Sequence, residues 1–535
     1  MTPKMEHKEG SAAQRWHALD AMRHAVLERA RAASELTITS VQPPDGATEE
    51  TVLDTPFQGL GAQGVNAMTS KLMLSQLPPQ TSFFQMEADE SLISELEGED
   101  PEIRGKANEA FVAAEKAIQQ DIEADAIRTP ATAFIRNLIV TGNGFLKIPD
   151  KGSAKSYRLD QCCVIRDGSG NLLELVIKEM VNPKALSEDV KGQLGDALNN
   201  PSMTETMSMN TPSSKSRKDT DLEVYTWVKR EDGKFKEHQE ILGTTIKGSE
   251  ASYKESENPY IVARWTALPG EHYGRGHVEN LYGDLKSLEG LSRALIKGTA
   301  AAAKMVYLVN PAGVTRPEHL ARASTGDIIR GREDDIGMAR ADKGQDFQVA
   351  LVMMERIEKR LKESFLMTSS VTRNAERVTA EEIRLLANEL ETALGGVFSL
   401  LSQEFQRPLL NRLLVRARKK GSLPKFPEGT VKFKIVTGLD ALGRGQNLEK
   451  LTVFMQTIGA LPNGLSVINP QDFVTKVANS LGIDTDGLVK SAEQMLAEQQ
   501  QAQLGDAVSS SLPGVAQEAT KGVVQQRLAD NQVAE

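Results

Sequence analysis

Three apolar stripes at helical spacing, separated by two segments that cannot continue a helix, occupy the second half of this 535-residue chain and constrain its fold more than any other feature. The first begins near Tyr273: Val278, Leu281, Leu285, Leu288, Leu291 and Leu295 recur at steps of three and four, which places them on one helix face. Carried to Lys304, that helix would reach roughly 48 Å at 1.5 Å per residue. Glu289 and Arg293, four apart and off the stripe, are placed to pair across its exposed surface. Residues 305–345 then lose the period and collect Pro311, Gly313, Pro317, Gly326, Gly331 and Gly337, which predicts a small irregular or β-containing module. A second stripe follows in Ala350, Met354, Ile357, Leu361 and Phe365, with Glu355–Lys359 and Glu358–Lys362 as i,i+4 pairs on its wet side. Residues 368–378 are polar and carry Arg373 and Arg377. Thr379 to Glu382 reads as a capping box opening a third stripe of Ile383, Leu386, Leu390, Leu394, Val397, Leu401 and Phe405. Gly395 and Gly396 should bend that helix, and Pro408 should end or kink it.

The first half reads as helix at residues 12–35, 65–77, 101–128 and from Pro130 to the glycines at 142 and 144. From about 145 to 265 the period changes to two. Residues 161–166 and 172–181 flank a turn at 167–171, and residues 224–229 and 235–241 flank another at 231–233, so this is a β-rich insert. Residues 199–220 hold little to bury and read as an exposed loop. After Gly429 a strand at Val431–Val436 precedes two or three helices reaching about Gln503, and the last thirty or so residues predict a mobile tail. The fold class is α+β, mainly helical.

Length predicts two to four domains or one elongated subunit. Apolar residues make up 40% and charged residues 25%, which suits a folded chain. The net charge of −10 and a pI near 5.5 lack the overall basic footprint that grips phosphates, so any DNA contact must be local or weak. The start has no apolar signal core and no long apolar run occurs, so neither secretion nor membrane spanning is expected. Adjacent Cys162 and Cys163 would point to opposite faces of a strand, unable to bridge, as reduced thiols.

Motifs for chemistry fail on context. Gly59, Gly61 and Gly64 spell GxGxxG, but no strand precedes them and no acidic residue follows in a βαβ unit, which favours glycine-lined close helix packing over dinucleotide binding. No GxxxxGK[ST] phosphate loop and no G-x-S-x-G elbow occur. His17 and His24, and His272 and His277, lack further ligands at metal spacing and read as solvated. Asp167, Ser169 and Asn171 imitate a calcium loop, but Leu172 and Lys178 replace its glycine and glutamate, so a hairpin turn is expected. No metal, cofactor or catalytic residue is predicted.

Several blocks resemble the head-to-tail connectors, or portal proteins, of short-tailed, podovirus-type phages. They are residues 54–65 (DTPFQGLGAQGV) with 70–75 and 79–81, Tyr273-Gly-Arg-Gly276, residues 309–313 and 325–327, residues 376–384 (ERVTAEEIR) with 394–397, residues 437–439 with 442–446, and 482–485. They lie in family order from about 54 to 490. The resemblance implies a ring, usually twelve-fold, whose subunit has a wing (1–272, with the β insert), a stem of helices 273–304 and 346–367, a clip at 305–345, a tunnel loop at 368–378, a further wing helix and strand at 379–439, a crown at 440–503 and a tail at 504–535. It implies a non-enzymatic channel at the special capsid vertex of the virion, assembled in host cytoplasm, through which double-stranded DNA is packaged and ejected. Its partners would be the terminase motor, the tail adaptor, and the major capsid and scaffolding proteins, with no membrane and no cofactor. Arg373 and Arg377 would face DNA, and Arg330 and Arg332 would serve docking at the clip. The rival readings are an internal scaffolding or ejection protein and a packaging enzyme subunit; the latter would need a phosphate loop or a two-metal carboxylate cluster.

Overall fold

The computed structural model describes residues 10–79, 82–88, 103–195, 221–302, 306–339, 344–367, 392–421 and 431–435. All belong to the first of two compact units, residues 1–441; the expected crown and tail, and the loop at 199–220, lie outside the described residues.

The helix expected at 12–35 is two, α1 (Ala12–Met22) and α2 (His24–Glu35). The break is at Arg23, whose guanidinium turns inward to donate to the carbonyls of Leu159, Asp160 and Cys162. Helix α3 (Leu60–Gln76) starts earlier than the apolar run suggested. Its glycines are the reason it can pack so closely. A Cβ on Gly61 would overlap the Leu36 carbonyl oxygen, and one on Gly64 would lie 2.5 Å from the Phe365 ring, so the close-packing reading of the GxGxxG holds. Strand β1 (Phe84–Ala88) is followed by α4 (Ile103–Ala124) and α5 (Arg128–Thr141), near the expected places. Gly142, at φ +79°, caps α5 in the left-handed conformation, its amide donating to the Leu138 carbonyl at 2.9 Å.

The β-rich insert is present as two sheets. Strands β2 (Asn143–Lys147) and β3 (Lys155–Tyr157) join β10 (Tyr260–Arg264) in the order β10-β2-β3. Strands β4 (Cys162–Arg166), β5 (Leu172–Val181), β6 (Leu222–Glu231), β7 (Lys234–Ile241) and β8 (Thr244–Thr245) run consecutively antiparallel, with β9 (Ala251–Lys254) also on β7. The first hairpin closes on Asp167, whose carboxylate accepts from the Ser169 and Asn171 amides at 2.9 and 2.8 Å, a turn and not a calcium loop. Alternation sends the adjacent cysteines to opposite faces: Cys162 packs with Phe145, Tyr157 and Tyr260, and Cys163 with Trp16 and Tyr225 beneath α1. Helix α6 (Glu188–Leu194) covers the sheet end.

The first long stripe does not start its helix at Tyr273. A short α7 (His277–Asn280) precedes α8 (Tyr282–Ala302), because the segment 274–276 is held as extended backbone against Gly142. Then come β11 (Val306–Val309), α9 (Pro317–Arg322) and β12 (Ile336–Ala339), β11 pairing antiparallel with β12, so the expected compact module is there. Helix α10 (Gly344–Ser364) returns alongside α8. The capping box at 379–382 lies outside the described residues. Helix α11, residues 392–401, runs unbroken through Gly395 and Gly396 into a π turn at Ser402–Gln406, and α12 (Arg407–Lys420) continues with Pro408 in its first turn. Pro408 therefore does not end the helix: its missing N–H falls where the wider turn has already shifted the ladder, with the Arg407 amide donating to Ser402. Strand β13 (Val431–Ile435), expected from sequence, pairs antiparallel with β1. One core joins α3, α4, α5, the near end of the α8–α10 pair and α11–α12, with Phe134 stacked on Phe405 at 4.8 Å. Among the described residues no helix is long and apolar enough to cross a membrane.

Candidate functional site: a helical hairpin and its tip

Helices α8 and α10 are antiparallel, since Asp284 pairs with Arg360 at 2.6 Å near one end and Gly298 meets the Phe347 ring near the other. The near half is fixed to the body. Leu285, Leu288, Ile357, Leu361 and Phe365 are buried in the main core. His277 is not solvated as expected: its Nε2 lies 3.1 Å from the Ser364 carbonyl, its ring packs on Trp265 and Phe365, and burial pushes its pKa down. Glu289 pairs with Arg293 at 3.1 Å as predicted, yet its carboxylate is buried, because the loop before α3 folds over it and the Gln58 amide donates to it at 3.2 Å. Of the two pairs expected on α10, Glu358–Lys362 forms at 3.1 Å.

The connection to the body is a backbone lock. Gly142 and the segment 274–276 press together so closely that a Cβ on Gly142 would stand 2.5 Å from backbone atoms of Arg275 and Gly276. Asn143 bridges them, its Oδ1 accepting from the Gly274 amide at 2.8 Å. Arg275 is gripped by Glu271 and Glu279, each at 2.7 Å, and the Tyr273 hydroxyl accepts from the Val164 amide at 3.1 Å.

The far half is different. Val349, Val352, Met353 and Ile296 are exposed, Val349 to 66%. An open groove of about 380 Å³ runs between the loop at Phe57–Leu60 and the two helices. Beyond it, the tip is organised by Asp335, whose Oδ2 accepts from the Val314 amide, the Thr315 amide and the Thr315 hydroxyl at 2.9, 3.1 and 3.0 Å. Burial raises the pKa of this carboxyl, but the Thr315 hydroxyl and the two amides outweigh it and hold it below the ordinary range. Gly313 and Gly331 leave the room this hub needs, since a Cβ on either would run into Asp335 or Thr315. Arg330 and Arg332 are both exposed on the loop leading to it, and Arg332 donates only its backbone amide, to Thr315 at 2.9 Å. Arg373 and Arg377 lie outside the described residues.

Sequence reasoning missed two charged sites. One is Asp335. The other is Glu404, in the π turn, which accepts from the Arg264 amide at 2.7 Å and its guanidinium at 2.5 Å, with Arg166 3.6 Å away. Burial pulls the Arg166 pKa down to about 10 against the opposing pull of Glu404. The only trace in sequence was an arginine in the buried-strand pattern at 260–265 and a glutamate inside the third stripe. Among the described residues no group of three or more His, Cys, Asp or Glu could hold a metal ion, and His17 and His24 are exposed.

Residues 9–489 match the family described as bacteriophage head to tail connecting protein. The portal protein of Enterobacteria phage T3 is 38% identical over 478 residues, 88% of this chain and 86% of that one. The portal protein of Escherichia phage T7 is 36% identical over 509 residues, 92% of this chain and 91% of that one. A solved structure, the neck of an empty gene transfer agent particle, covers 80% of this chain and 90% of that chain at 13% identity with a TM-score of 0.34. From the two phage relatives and the near full-length match, the chain belongs to the bacteriophage head-to-tail connecting proteins, the non-enzymatic portal proteins that form the channel for DNA packaging and ejection at a capsid vertex.

Proposed function

We propose that copies of this chain close into a ring, twelve-fold as in the family, with α8 and α10 as its stem and residues 305–345 as its clip. The observation that carries this is the far half of the hairpin, where apolar side chains stand exposed on both helices and no described residue covers them. Repeated contact through a surface that is not its own complement makes a cycle when the rotation closes. In this reading residues 368–378 line the lumen, where Arg373 and Arg377 touch phosphates, and the acidic chain otherwise lets DNA slide by offering few cations to hold it. The clip docks the terminase motor during filling and the tail adaptor afterwards through Arg330 and Arg332. The wing, residues 1–272 with the helix and strand of 379–439, meets capsid and scaffolding proteins, the crown of residues 440–503 faces the capsid interior, and assembly takes place in host cytoplasm.

Electron microscopy and light scattering of the purified chain test the ring. Particles with a central hole are expected; a 58.3 kDa monomer at micromolar concentration overturns the proposal. For the lumen, Arg373→Ala with Arg377→Ala should leave rings intact and lower DNA packaging or retention, with a defect that shrinks as salt rises. Normal packaging by that double variant removes the segment from the mechanism.

A further inference from the structure

The ring proposed above leaves open which surfaces meet, and the hairpin carries two that match. On α10, Val349, Val352, Met353 and Arg356 lie at i, i+3, i+4 and i+7, one face of the helix, and all are exposed. Ala350, Met354, Ile357 and Leu361 share the other face, toward α8 and the body. The groove opens on that second side. Its floor is Phe57, Leu60, Leu295, Ile296 and Met354, and Glu358 and Lys362 form its rim. The knob and the groove thus lie on opposite flanks of one hairpin, so a single chain cannot bring them together but two copies can.

They also lie at one level. Asp284 sits beside Arg360 and Gly298 beside Phe347, so Val349 is level with the region of Leu295 and Ile296 at the upper end of the groove. Copies in a cyclic ring are related by rotation alone, and with the hairpin along the axis each group keeps its height. Charge agrees as well: Arg356, which makes no ion pair among the described residues, lies near the level of the rim carboxylate Glu358.

We infer that Val349, Val352 and Met353 of one copy seat in the groove of the next, with Arg356 reaching Glu358 at its rim. The occupant is a second copy of this chain, and the inference rests on the ring reading.

The test uses the full chain carrying Ile296→Cys and Val349→Cys, treated with a short bis-maleimide; the native Cys162 and Cys163 are buried and do not compete. Covalent multimers on a denaturing gel are expected. Rings that are visible by microscopy yet give only monomers on the gel overturn the groove contact and leave the ring standing, whereas unsubstituted protein that forms no rings overturns both. A second arm needs no cysteine. Arg356→Glu and Glu358→Arg should each raise the concentration for half-assembly by about two- to five-fold, as an ion pair at an exposed rim would. Together they should restore it. If each single variant assembles like the parent, or the pair is no better than the singles, the assignment of Arg356 to Glu358 is wrong.

Discussion

At Gly142 two segments far apart in sequence approach until no Cβ fits between them, and charged and polar side chains around the contact are paired: Asn143 on Gly274, Arg275 on two glutamates, Glu404 on Arg264. Along the far half of α8 and α10 the opposite holds. Val349 and Val352 stand in water there, and on the open face nearer the middle of α8 Gly290 meets nothing within 4 Å. Both regions use helices with apolar stripes of similar quality. They differ in what completes them: the first is closed by this chain's own backbone, and the second is covered by no described residue and, in the proposed ring, by a neighbour. A stripe therefore predicts that a face will be buried without saying by which molecule.

The same substitution at the two places breaks the comparison most directly. Gly142→Ala puts a methyl 2.5 Å from backbone that cannot yield, at φ +79°, so a loss on the order of 4 kcal/mol or more is expected, enough to lose the folded body. Gly290→Ala, in the helix and with free space around it, should instead gain about 0.5–1 kcal/mol. Denaturant unfolding of both variants decides. Equal effects would mean that the close approach at Gly142 is not what fixes the hairpin to the body.

Next in size is Glu404→Ala. It leaves Arg264 and Arg166 buried without their carboxylate, and breaking such a pair from one side costs about 3–5 kcal/mol. Because Glu404 sits in the π turn, the wide turn and the ion pair stand or fall together: the backbone shift that accommodates Pro408 also aims Glu404 at the end of β10. A variant that melts like the parent would show that the lock is incidental.

These two sites mark the limit of what was legible in the sequence. The stripes, the change to period two, the hairpin turn on Asp167, the compact module between the long helices and the strand at 431–435 follow from local spacing and turn chemistry. The breaks do not. Arg23 splits one expected helix because of carbonyls at 159–162, and residues 274–276 delay another because of Gly142; both causes are more than a hundred positions away. Glu289 was read as exposed because a single helix cannot reveal that the loop at Gln58 will cover it. Of the proposed site residues, Arg330 and Arg332 are exposed on a loop of the tip, and among the described residues no side chain pairs with them.

A smaller effect is expected at the joint between the two regions. His277 is partly buried and its pKa is lowered by that burial, so the folded state takes up its proton only at a lower pH than the ordinary 6.5. Between those two values the unfolded chain binds more protons, and stability rises with pH there. The contribution is thus complete above pH 6.5 and is lost as pH falls toward the folded pKa. His277→Gln keeps a donor for the Ser364 carbonyl and cannot charge, so its unfolding midpoint should drop less than the parent's between pH 7 and pH 5. Parallel curves for the two proteins would place the acid sensitivity elsewhere.

The smallest effect on the fold, and the clearest on assembly, belongs to the tip. Arg330 and Arg332 are exposed and their side chains make no hydrogen bond or ion pair among the described residues, so reversing both to Glu should change stability by no more than about 0.5 kcal/mol. The hydrogen bonds of the Asp335 hub reach only the Arg332 backbone, its amide and its carbonyl, and should survive the change. If the tip docks a motor or an adaptor by charge, the double reversal should slow association and weaken binding most at low salt, since rim charges act mainly on the encounter. Rings should still form, because the knob and groove lie on the helices and not on this loop. Binding of a purified tail adaptor to preformed rings, measured at two ionic strengths, separates the outcomes. Unchanged adaptor binding, with binding lost instead on removal of residues 440–503, would reverse the assigned polarity of the subunit.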